Sequence, residues 1–372
     1  MEKLVNIIQQ DTIYIQDITE ASLDVCEGAD SFLQSSMWGE FKSRFGWTAK
    51  AFLIEWQKDN ARQKLPLLTL LRRLAPGFSF VYVPWGPVLP QAFSSDDRVK
   101  ALSELAAKLK PFFARNCAFL RFDPPWFTEE NGGRQEIARN ESEMLRAAGF
   151  KRAAVVQPPD TVIIDLLKTR EEILSSMKPK WRYNISLAGK KSVNVNTSDV
   201  RDIEVFYNLL KETAQRDGIA VHGINYYKTL FEICGRRKAD DLQLRLYTAS
   251  HEGETLAAIV VLFRGKEAVY LYGASSNNKR NLMAPYALQW KAMTDAKESG
   301  CRYYDLFGIP PNDDPNHPMA GLYRFKTGFG GRIIHRPGSL DYAYNGFIYN
   351  LFNFAETFRK RLMNLKKKKN HT

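Results

Sequence analysis

One stretch decides the fold of this chain: LQLRLYTASHEGETLAAIVVLFRGKEAVYLYGAS at residues 242–275, followed after a helical segment by CRYYD at 301–305. Its apolar and β-branched runs, broken by turn residues, predict three strands, and a helix and a last strand follow. The predicted elements are strands at Leu242–Ser250, Thr255–Phe263 and Glu267–Ala274, a helix near Met283–Ser299, and a strand at Cys301–Leu306 that contains Asp305.

The same order of elements occurs earlier in the chain. The predicted elements there are strands at Thr48–Trp56, Lys64–Leu71 and Phe78–Val83, a helix from about Asp96 to Arg115, and a strand at Cys117–Phe122 closing with Asp123. Mixed α/β proteins also produce such a run by chance, but two matched copies favour an internal duplication with a cleft between the copies. The order β-β-β-α-β resembles the core of the GNAT acyltransferases.

Charge is distributed unevenly along the 372 residues, which carry a net charge of +12. Residues 359–372 hold seven positive charges and no acid, and a second basic patch comprises Lys178, Lys180, Arg182, Lys190 and Lys191. Such patches indicate a polyanionic partner: nucleic acid, anionic lipid or a phosphorylated substrate. The alternative is a solvated face and a frayed tail.

The C-terminal segment 346–365 is rich in phenylalanine just before the basic run. Aromatic residues followed by lysines suit a helix that lies in a membrane interface, so we expect peripheral contact of residues 346–369 with an anionic membrane. The alternative is a terminal helix packed on a core.

Cysteine spacing and hydropathy exclude several classes of protein. Cys26, Cys117, Cys234 and Cys301 lie far apart, so we expect reduced core thiols and no metal site. The N-terminus has no apolar signal region, and no window of about 18 uncharged apolar residues exists. These features predict a cytoplasmic protein, peripheral on the inner membrane face at most.

A phosphate-binding loop is missing where an acetyl-CoA-dependent GNAT enzyme needs one. Such a loop is rich in glycine, because backbone N–H groups must approach the pyrophosphate at a helix N-terminus. This chain has KRNLMAP at 279–285, and the first copy has WGPVLP at 85–90, with two prolines that donate no N–H. Neither copy suits coenzyme A, and we expect no cofactor.

Motifs along nearly the whole chain resemble the FemABX family, which transfers an amino acid from aminoacyl-tRNA to a peptidoglycan precursor. They are Phe32–Ser35, Trp38, Phe41–Lys42, Gly46–Trp47, Tyr82–Val88, Leu120–Pro124, Lys180–Ile185 with Ala188, Glu212–Gly218, Tyr226–Tyr227, Leu322–Lys326 and Phe329–Gly331. The resemblance implies an α/β (α+β) protein with two tandem GNAT-like domains. The second (159–337) is inserted in the first (1–158 plus 338–372). The interval from Gly218 to Leu242 leaves no room for the helical arm of some members.

The resemblance also implies a reaction. An amine of a diamino acid in the stem peptide would attack the ester of an aminoacyl-tRNA, with glycine as first choice of amino acid and serine or alanine open. The acceptor is either lipid II or UDP-MurNAc-pentapeptide. Because the nucleophile belongs to the substrate, the enzyme supplies positioning and a partner for the oxyanion.

The family match gives Lys326 the role of oxyanion partner, with Phe325 packed beside it. By itself, a lysine between Phe325 and Thr327 could equally be an exposed strand residue. Asp123, at the end of a buried strand, would orient or deprotonate the attacking amine, although Asp before Pro-Pro is also a common turn former.

Four residues are candidates for binding the precursor. Lys42 matches a family lysine for its phosphates, or is a solvated helix residue. His222 stands where many relatives have arginine, which weakens the expectation of diphosphate binding there because imidazole is mostly neutral at pH 7. Tyr226 and Tyr272 line the cleft or belong to the core. Candidates for the tRNA acceptor stem are Lys180, Arg182, Lys190 and Lys191.

Two other functions compete with aminoacyl transfer. One is an acetyl-CoA-dependent GNAT N-acyltransferase, which the missing glycine loop disfavours. The other is a non-enzymatic membrane-binding or nucleic-acid-binding protein, which the charge patches allow. Transfer assays with aminoacyl-tRNAs and acetyl-CoA separate the three.

Overall fold

A computed structural model describes residues 14–58, 61–75, 77–90, 93–129, 134–198, 200–237 and 242–369, with backbone alone for 58, 61, 75, 128, 129, 134–139 and 359–369. The chain divides into two compact units. Unit 1 comprises Met1–Trp126, Gly133–Gln157 and Pro337–Thr372, and unit 2 comprises Phe127–Gly132 and Pro158–Arg336. The domain limits inferred from the resemblance stay predictions.

The strands and helices are numbered in chain order. The strands are β1 Tyr14–Ala21, β2 Thr48–Lys58, β3 Ala61–Ala75, β4 Phe78–Val83, β5 Cys117–Phe122, β6 Thr128–Glu129, β7 Phe150–Arg152, β8 Asp160–Asp165, β9 Asn194–Ser198, β10 Leu242–His251, β11 Glu254–Arg264, β12 Glu267–Ser275, β13 Tyr303–Asp305, β14 Arg332–His335 and β15 Leu340–Ala343. The helices are α1 Ser36–Ser43, α2 Ser95–Leu109, α3 Arg134–Ala147, α4 Arg170–Ser176, α5 Pro179–Lys190, α6 Ile203–Asp217, α7 Ile224–Arg236, α8 Ala284–Glu298, α9 Ala320–Thr327 and α10 Gly346–Lys369.

Unit 1 is built on a seven-stranded sheet of order β1-β2-β3-β4-β5-β15-β7. Among its described strands, the parallel pair is β4 with β5, and α2 connects these two strands. A capping box of Ser94 and Asp97 opens α2, which buries Val99, Leu102 and Leu105 in the core of the unit. A parallel pair needs such a crossover, so the predicted β-β-β-α-β order is observed here.

Unit 2 repeats this arrangement on an eight-stranded sheet of order β6-β14-β8-β13-β12-β11-β10-β9. Its parallel pair is β12 with β13, connected by α8. The core between sheet and helices includes Tyr247, Leu288, Tyr304 and Phe329, all fully buried. Both copies predicted from the sequence are therefore present.

Some predicted boundaries are wrong for identifiable reasons. Helix α2, the helix of the first copy, ends at Leu109 rather than at the predicted Arg115. Pro111 forces a 3₁₀ turn at Lys110–Phe112. The strand predicted at Cys301–Leu306 is limited to Tyr303–Asp305, because the N–H of Cys301 donates back to Ala296 of α8 and the chain turns at Phe307, which has a φ of +56°.

All four cysteines are buried and free. Burial raises the pKa of Cys26 to about 12 and that of Cys117 to about 11, which keeps these thiols protonated and unreactive. Among the helices described, none combines the length and the apolar character needed to cross a bilayer.

Candidate functional site

The two strands of the parallel pair in unit 2 separate at a defined point. β12 pairs with β13 only from Glu267 to Val269, opposite Tyr303 to Asp305, and then continues to Ser275. A register shift against β11 at Val260 and Val261 adds a bulge to β12 between Tyr270 and Tyr272. Separation and bulge together place Tyr270 where the strands diverge.

Lys326 lies at this point. It is on α9, and its side chain is buried, with 6% of the residue exposed. Its Nζ donates to the carbonyl oxygens of Phe307 at 3.2 Å and Gly308 at 2.9 Å, and it lies 5.0 Å from the centre of the Tyr270 ring. The alternative of an exposed strand residue is wrong, because the residue is helical and buried. Two of the three N–H groups are used in the described structure, which leaves one for a ligand.

The charge of Lys326 is balanced against a buried carboxylate. Burial lowers the pKa of Lys326 to about 7, and the negative charge of Asp305 opposes that shift. Burial likewise raises the pKa of Asp305, while Arg336 and Lys326 oppose it. Asp305 also accepts from the Thr161 hydroxyl and, at 2.7 Å, from the N–H of Phe307. Asp305 therefore holds the turn whose carbonyls hold Lys326.

Helix α9 is fixed by a tryptophan from α5. Trp181 Nε1 donates to the carbonyl of Phe325 at 2.9 Å, and an added Cβ at Gly328 would lie 2.1 Å from the Trp181 ring. Only glycine fits against that ring. The Phe325 ring packs on Tyr286 and Phe329, so its visible function is to anchor α9 in the core.

A second group of predicted residues forms an aromatic cluster from α7, the segment just before α7, and β12. The His222 ring stacks on Tyr226 with centroids 3.9 Å apart, and Tyr226 hydrogen-bonds to Tyr272. The ring of Tyr227 packs edge-on against that of Tyr272, with the ring centroids 5.1 Å apart. Burial raises the pKa of both Tyr226 and Tyr272, so both hydroxyls stay protonated as donors. The structure thus brings His222, Tyr226 and Tyr272 together.

The loop after β12, where a GNAT enzyme would bind pyrophosphate, uses its backbone donors internally. The N–H of Asn277 donates to the Glu212 carboxylate at 2.6 Å, and the N–H of Asn278 donates to Ser276 Oγ at 3.1 Å. A carboxylate at this place also repels phosphate. The motif Glu212–Gly218 therefore closes this loop from α6.

The parallel pair of unit 1 ends differently. β4 stops at Val83, and the N–H of Asp123 donates to the Val83 carbonyl at 3.1 Å. The Asp123 carboxylate accepts from the hydroxyls of Tyr82 and Ser339 and from the N–H of Gln157. Burial raises the pKa of Asp123, and these hydrogen bonds oppose the shift. Asp123 is thus a buried carboxylate at the junction of three segments.

A buried glutamine explains two of the sequence motifs of unit 1. Gln34 accepts from the N–H of Leu68 at 2.9 Å and donates to the carbonyls of Leu68 at 3.2 Å and Pro84 at 2.6 Å. A Cβ at Gly86 would lie 2.8 Å from the Gln34 side chain. The Phe32–Ser35 and Tyr82–Val88 motifs therefore interlock to fix the end of β4.

Two cations share an aromatic surface in unit 1. Lys42 Nζ lies 5.5 Å from the Trp38 ring centre and 5.8 Å from that of Trp47, and the Arg72 guanidinium lies 5.0 Å from the Trp47 ring. Burial and, second, the positive charge of Arg72 lower the pKa of Lys42 to about 8. Lys42 is half-buried on α1, so the alternative of a fully solvated helix residue is wrong. Like charges held this close favour an anionic ligand.

The basic residues assigned to tRNA lie on or beside α5, and all four are exposed. Arg182 also has a structural role, because it donates to the carbonyls of Met177 at 2.5 Å and Ser175 at 3.3 Å, at the end of α4.

Residues 27–240 and 236–357 match the FemAB family. The chain belongs to the FemAB family. This membership confirms the family resemblance inferred from the motifs. One relative, the lipid II:glycine glycyltransferase of Staphylococcus aureus (strain USA300), is 23% identical over 384 aligned positions, which cover 86% of this chain and 89% of the relative.

Solved structures agree with this FemAB-family fold. The crystal structure of FemX superposes with a TM-score of 0.74 at 21% identity, covering 90% of this chain and 99% of that one. A tandem GNAT protein from the clavulanic acid biosynthesis pathway superposes with a TM-score of 0.52 at 12% identity, covering 89% and 98%. The predicted fold class of two GNAT-like domains is confirmed.

Several residues of this candidate site were missed by the sequence reasoning. Asp305 was noted as a strand end without a role, although its position duplicates that of Asp123. Tyr82 belongs to a quoted motif, and its partnership with Asp123 follows from the parallel pairing of β4 and β5. Tyr270 and Arg72 carried no sequence signal, because only the tertiary structure places them beside Lys326 and Trp47.

Proposed function

We propose that this FemAB-family protein transfers an amino acid, glycine first, from aminoacyl-tRNA to the side-chain amine of a diamino acid in the stem peptide of a peptidoglycan precursor. The relatives named lipid II:glycine glycyltransferase support glycine as the donor and lipid II as the acceptor. The observation that carries the proposal is the buried ammonium of Lys326, held by two carbonyls where β12 and β13 separate.

The proposed step forms one bond and breaks one. The amine nitrogen attacks the ester carbonyl carbon, and the tetrahedral intermediate collapses with cleavage of the bond to the tRNA 3′ oxygen. The amine loses a proton and the tRNA hydroxyl gains one. Lys326 donates its remaining N–H to the oxyanion, and the arriving negative charge favours its protonated form.

Asp123 is proposed to orient the ammonium of the acceptor or to accept its proton. The raised pKa of its buried carboxyl supports proton acceptance, because a carboxylate of ordinary pKa is a weaker base. Tyr82 and Ser339 fix the carboxylate through their hydroxyls.

The precursor and the tRNA are polyanions, and two basic regions are proposed to bind them. Lys42 with Arg72 takes the phosphates of the precursor, where the proximity of the two cations supports an anion site. His222, Tyr226 and Tyr272 form a further substrate-binding wall. The exposed residues Lys180, Arg182, Lys190 and Lys191 contact the acceptor stem of the tRNA.

The proposal includes peripheral contact of residues 346–369 with the anionic inner face of the membrane, where lipid II resides. No cofactor takes part. The internal hydrogen bonds of the loop after β12 support this, because the N–H groups of Asn277 and Asn278 are not directed at a pyrophosphate.

The test is a transfer assay with purified protein. Labelled glycyl-, seryl- and alanyl-tRNA are each offered with lipid II and with UDP-MurNAc-pentapeptide, and the modified precursor is identified by mass. Transfer from glycyl-tRNA to lipid II is the expected result. Turnover of acetyl-CoA without transfer from any aminoacyl-tRNA would establish the alternative N-acyltransferase.

A further inference from the structure

Helix α10 presents a row of large apolar side chains to solvent. Phe347 is 81% exposed, Leu351 55%, Phe354 72% and Phe358 56%. Their spacing of four, three and four residues places all four on one face of a helix. Single exposed apolar residues are ordinary, but a contiguous row of this kind indicates a surface that binds something.

The opposite face of α10 is already packed on unit 1. Tyr349 is 3% exposed and meets Phe119 edge-on at 5.3 Å, and the Phe352 ring lies 5.1 Å from Phe119 and 6.3 Å from Phe80. The Lys151 ammonium lies 5.0 Å from the Tyr349 ring. The face of α10 that contains Tyr349 and Phe352 therefore packs on the core. The face that contains Phe347, Leu351, Phe354 and Phe358 is not needed for that packing.

The charges that follow the exposed face define its partner. Within α10, Arg359, Lys360, Arg361 and Lys366–Lys369 add seven positive charges, and residues 359–372 include no acid. A second copy of the chain would bring like charges together, which opposes self-association through this face. An anionic bilayer matches both features, because its headgroups attract the cations and its acyl boundary accepts the rings.

We propose that α10 lies flat in the headgroup region of an anionic membrane, with the apolar face of Phe347, Leu351, Phe354 and Phe358 inserted. Because Tyr349 and Phe352 hold the same helix on the β4–β5 face, unit 1 is carried in a fixed orientation rather than on a flexible tether. This inference deepens the membrane contact of the proposed function and is independent of the reaction catalysed.

The test is co-sedimentation of the full chain with vesicles of phosphatidylcholine containing phosphatidylglycerol, and with vesicles of phosphatidylcholine alone. Wild type is expected to bind the anionic vesicles and to dissociate as salt is raised. Replacing Phe347, Leu351, Phe354 and Phe358 by serine is expected to weaken binding by about 10⁴-fold, since burial of each large apolar side chain is worth about tenfold in affinity.

A matched control replaces Leu167 and Val155, which are 71% and 55% exposed but lie outside α10, by serine. It removes exposed apolar surface while leaving the helix intact, and it is expected to bind vesicles as wild type does. Thermal unfolding of both variants establishes that they are folded.

A Phe354→Cys variant locates the inserted face directly. The four native cysteines are buried, so an environment-sensitive dye labels the new thiol selectively. A shift of its emission to shorter wavelength on anionic vesicles is expected.

Wild-type binding by the folded serine variant, or no binding by wild type, would overturn the proposal. So would a wild-type dimer that the serine variant abolishes without any binding to vesicles, which would identify a second copy as the partner. None of these measurements uses tRNA or precursor, so failure of the transferase assay leaves them unaffected.

Discussion

The parallel strand pairs of the two units begin alike and end differently. In unit 1 the pair is closed, because β4 stops at Val83 and the N–H of Asp123 donates to the Val83 carbonyl. In unit 2 the pair is open, because β12 continues to Ser275 while β13 ends at Asp305 and the chain turns at Phe307. The two copies thus share the order of their strands but differ in where the two strands of each parallel pair end.

The aspartates at these ends also differ in their charged neighbours. Both carboxylates accept from a hydroxyl and from a backbone N–H, and an arginine opposes the raised pKa of each, Arg121 for Asp123 and Arg336 for Asp305. In unit 2 the buried Lys326 is a further cation that opposes the shift of Asp305. A buried carboxylate and a buried lysine make their charge states depend on each other. Unit 2 therefore adds a titratable cation to the strand-end aspartate.

The largest effect is expected from Lys326→Met, which removes the cation of the open pair. Transfer should fall by about 10² to 10³ in kcat, the usual loss for one oxyanion donor. The matched control is Lys297→Met, a lysine of α8 that donates to the Leu166 carbonyl away from the site. Transfer near the wild-type rate in Lys326→Met would remove the mechanistic assignment.

Asp305→Asn and Asp123→Asn compare the two carboxylates. Oxyanion stabilisation needs protonated Lys326, so the rate should decline as pH rises through its pKa of about 7. Asp305 raises that pKa, so its loss should move the decline to lower pH and lower the rate at neutral pH several-fold. Asp123→Asn should lower the rate while leaving the position of that decline unchanged. Identical pH profiles for the two variants would contradict the distinction between the units.

Arg72→Gln tests the anion site of unit 1. The KM for the precursor should rise about threefold to tenfold with little change in kcat, because the interaction is one of uniform binding. Loss of the neighbouring positive charge should also raise the pKa of Lys42 above about 8. Arg73→Gln, on the same strand, is the control. An unchanged KM in Arg72→Gln would place the phosphates elsewhere.

The smallest effect is on stability. Burial lowers the pKa of Lys326 to about 7 from its ordinary value of 10.5, so burying the charged form destabilises the fold, fully below pH 7 and not at all above pH 10.5. Lys326→Met removes that penalty but also leaves Asp305 and the carbonyls of Phe307 and Gly308 without their donor. The stability of the variant relative to wild type should therefore fall by about 1 kcal/mol or more as pH rises from 7 towards 10.5. Denaturant unfolding of both proteins at several pH values measures this difference. A difference that does not vary with pH would rule out this origin.

For two of the strands, local sequence signals were sufficient because they mark where the strands end. β4 and β5 were predicted to the residue, since Gly86–Pro87 and Asp123–Pro125 stop them. The burial of Lys326 was beyond such reasoning, because it depends on Trp181 packing against Gly328 across distant segments. Arg72 was unpredictable for the same reason, as only the folded sheet brings it to Trp47.

The contact between Trp181 and Gly328 has a mechanical consequence. The indole fills the space of a missing side chain and hydrogen-bonds to the backbone beside Lys326, so a shift of α5 would be transmitted to α9. Lys180, Arg182 and Lys190 are exposed on α5. A polyanion bound there, as proposed for the tRNA acceptor stem, would therefore be coupled to the position of the Lys326 ammonium.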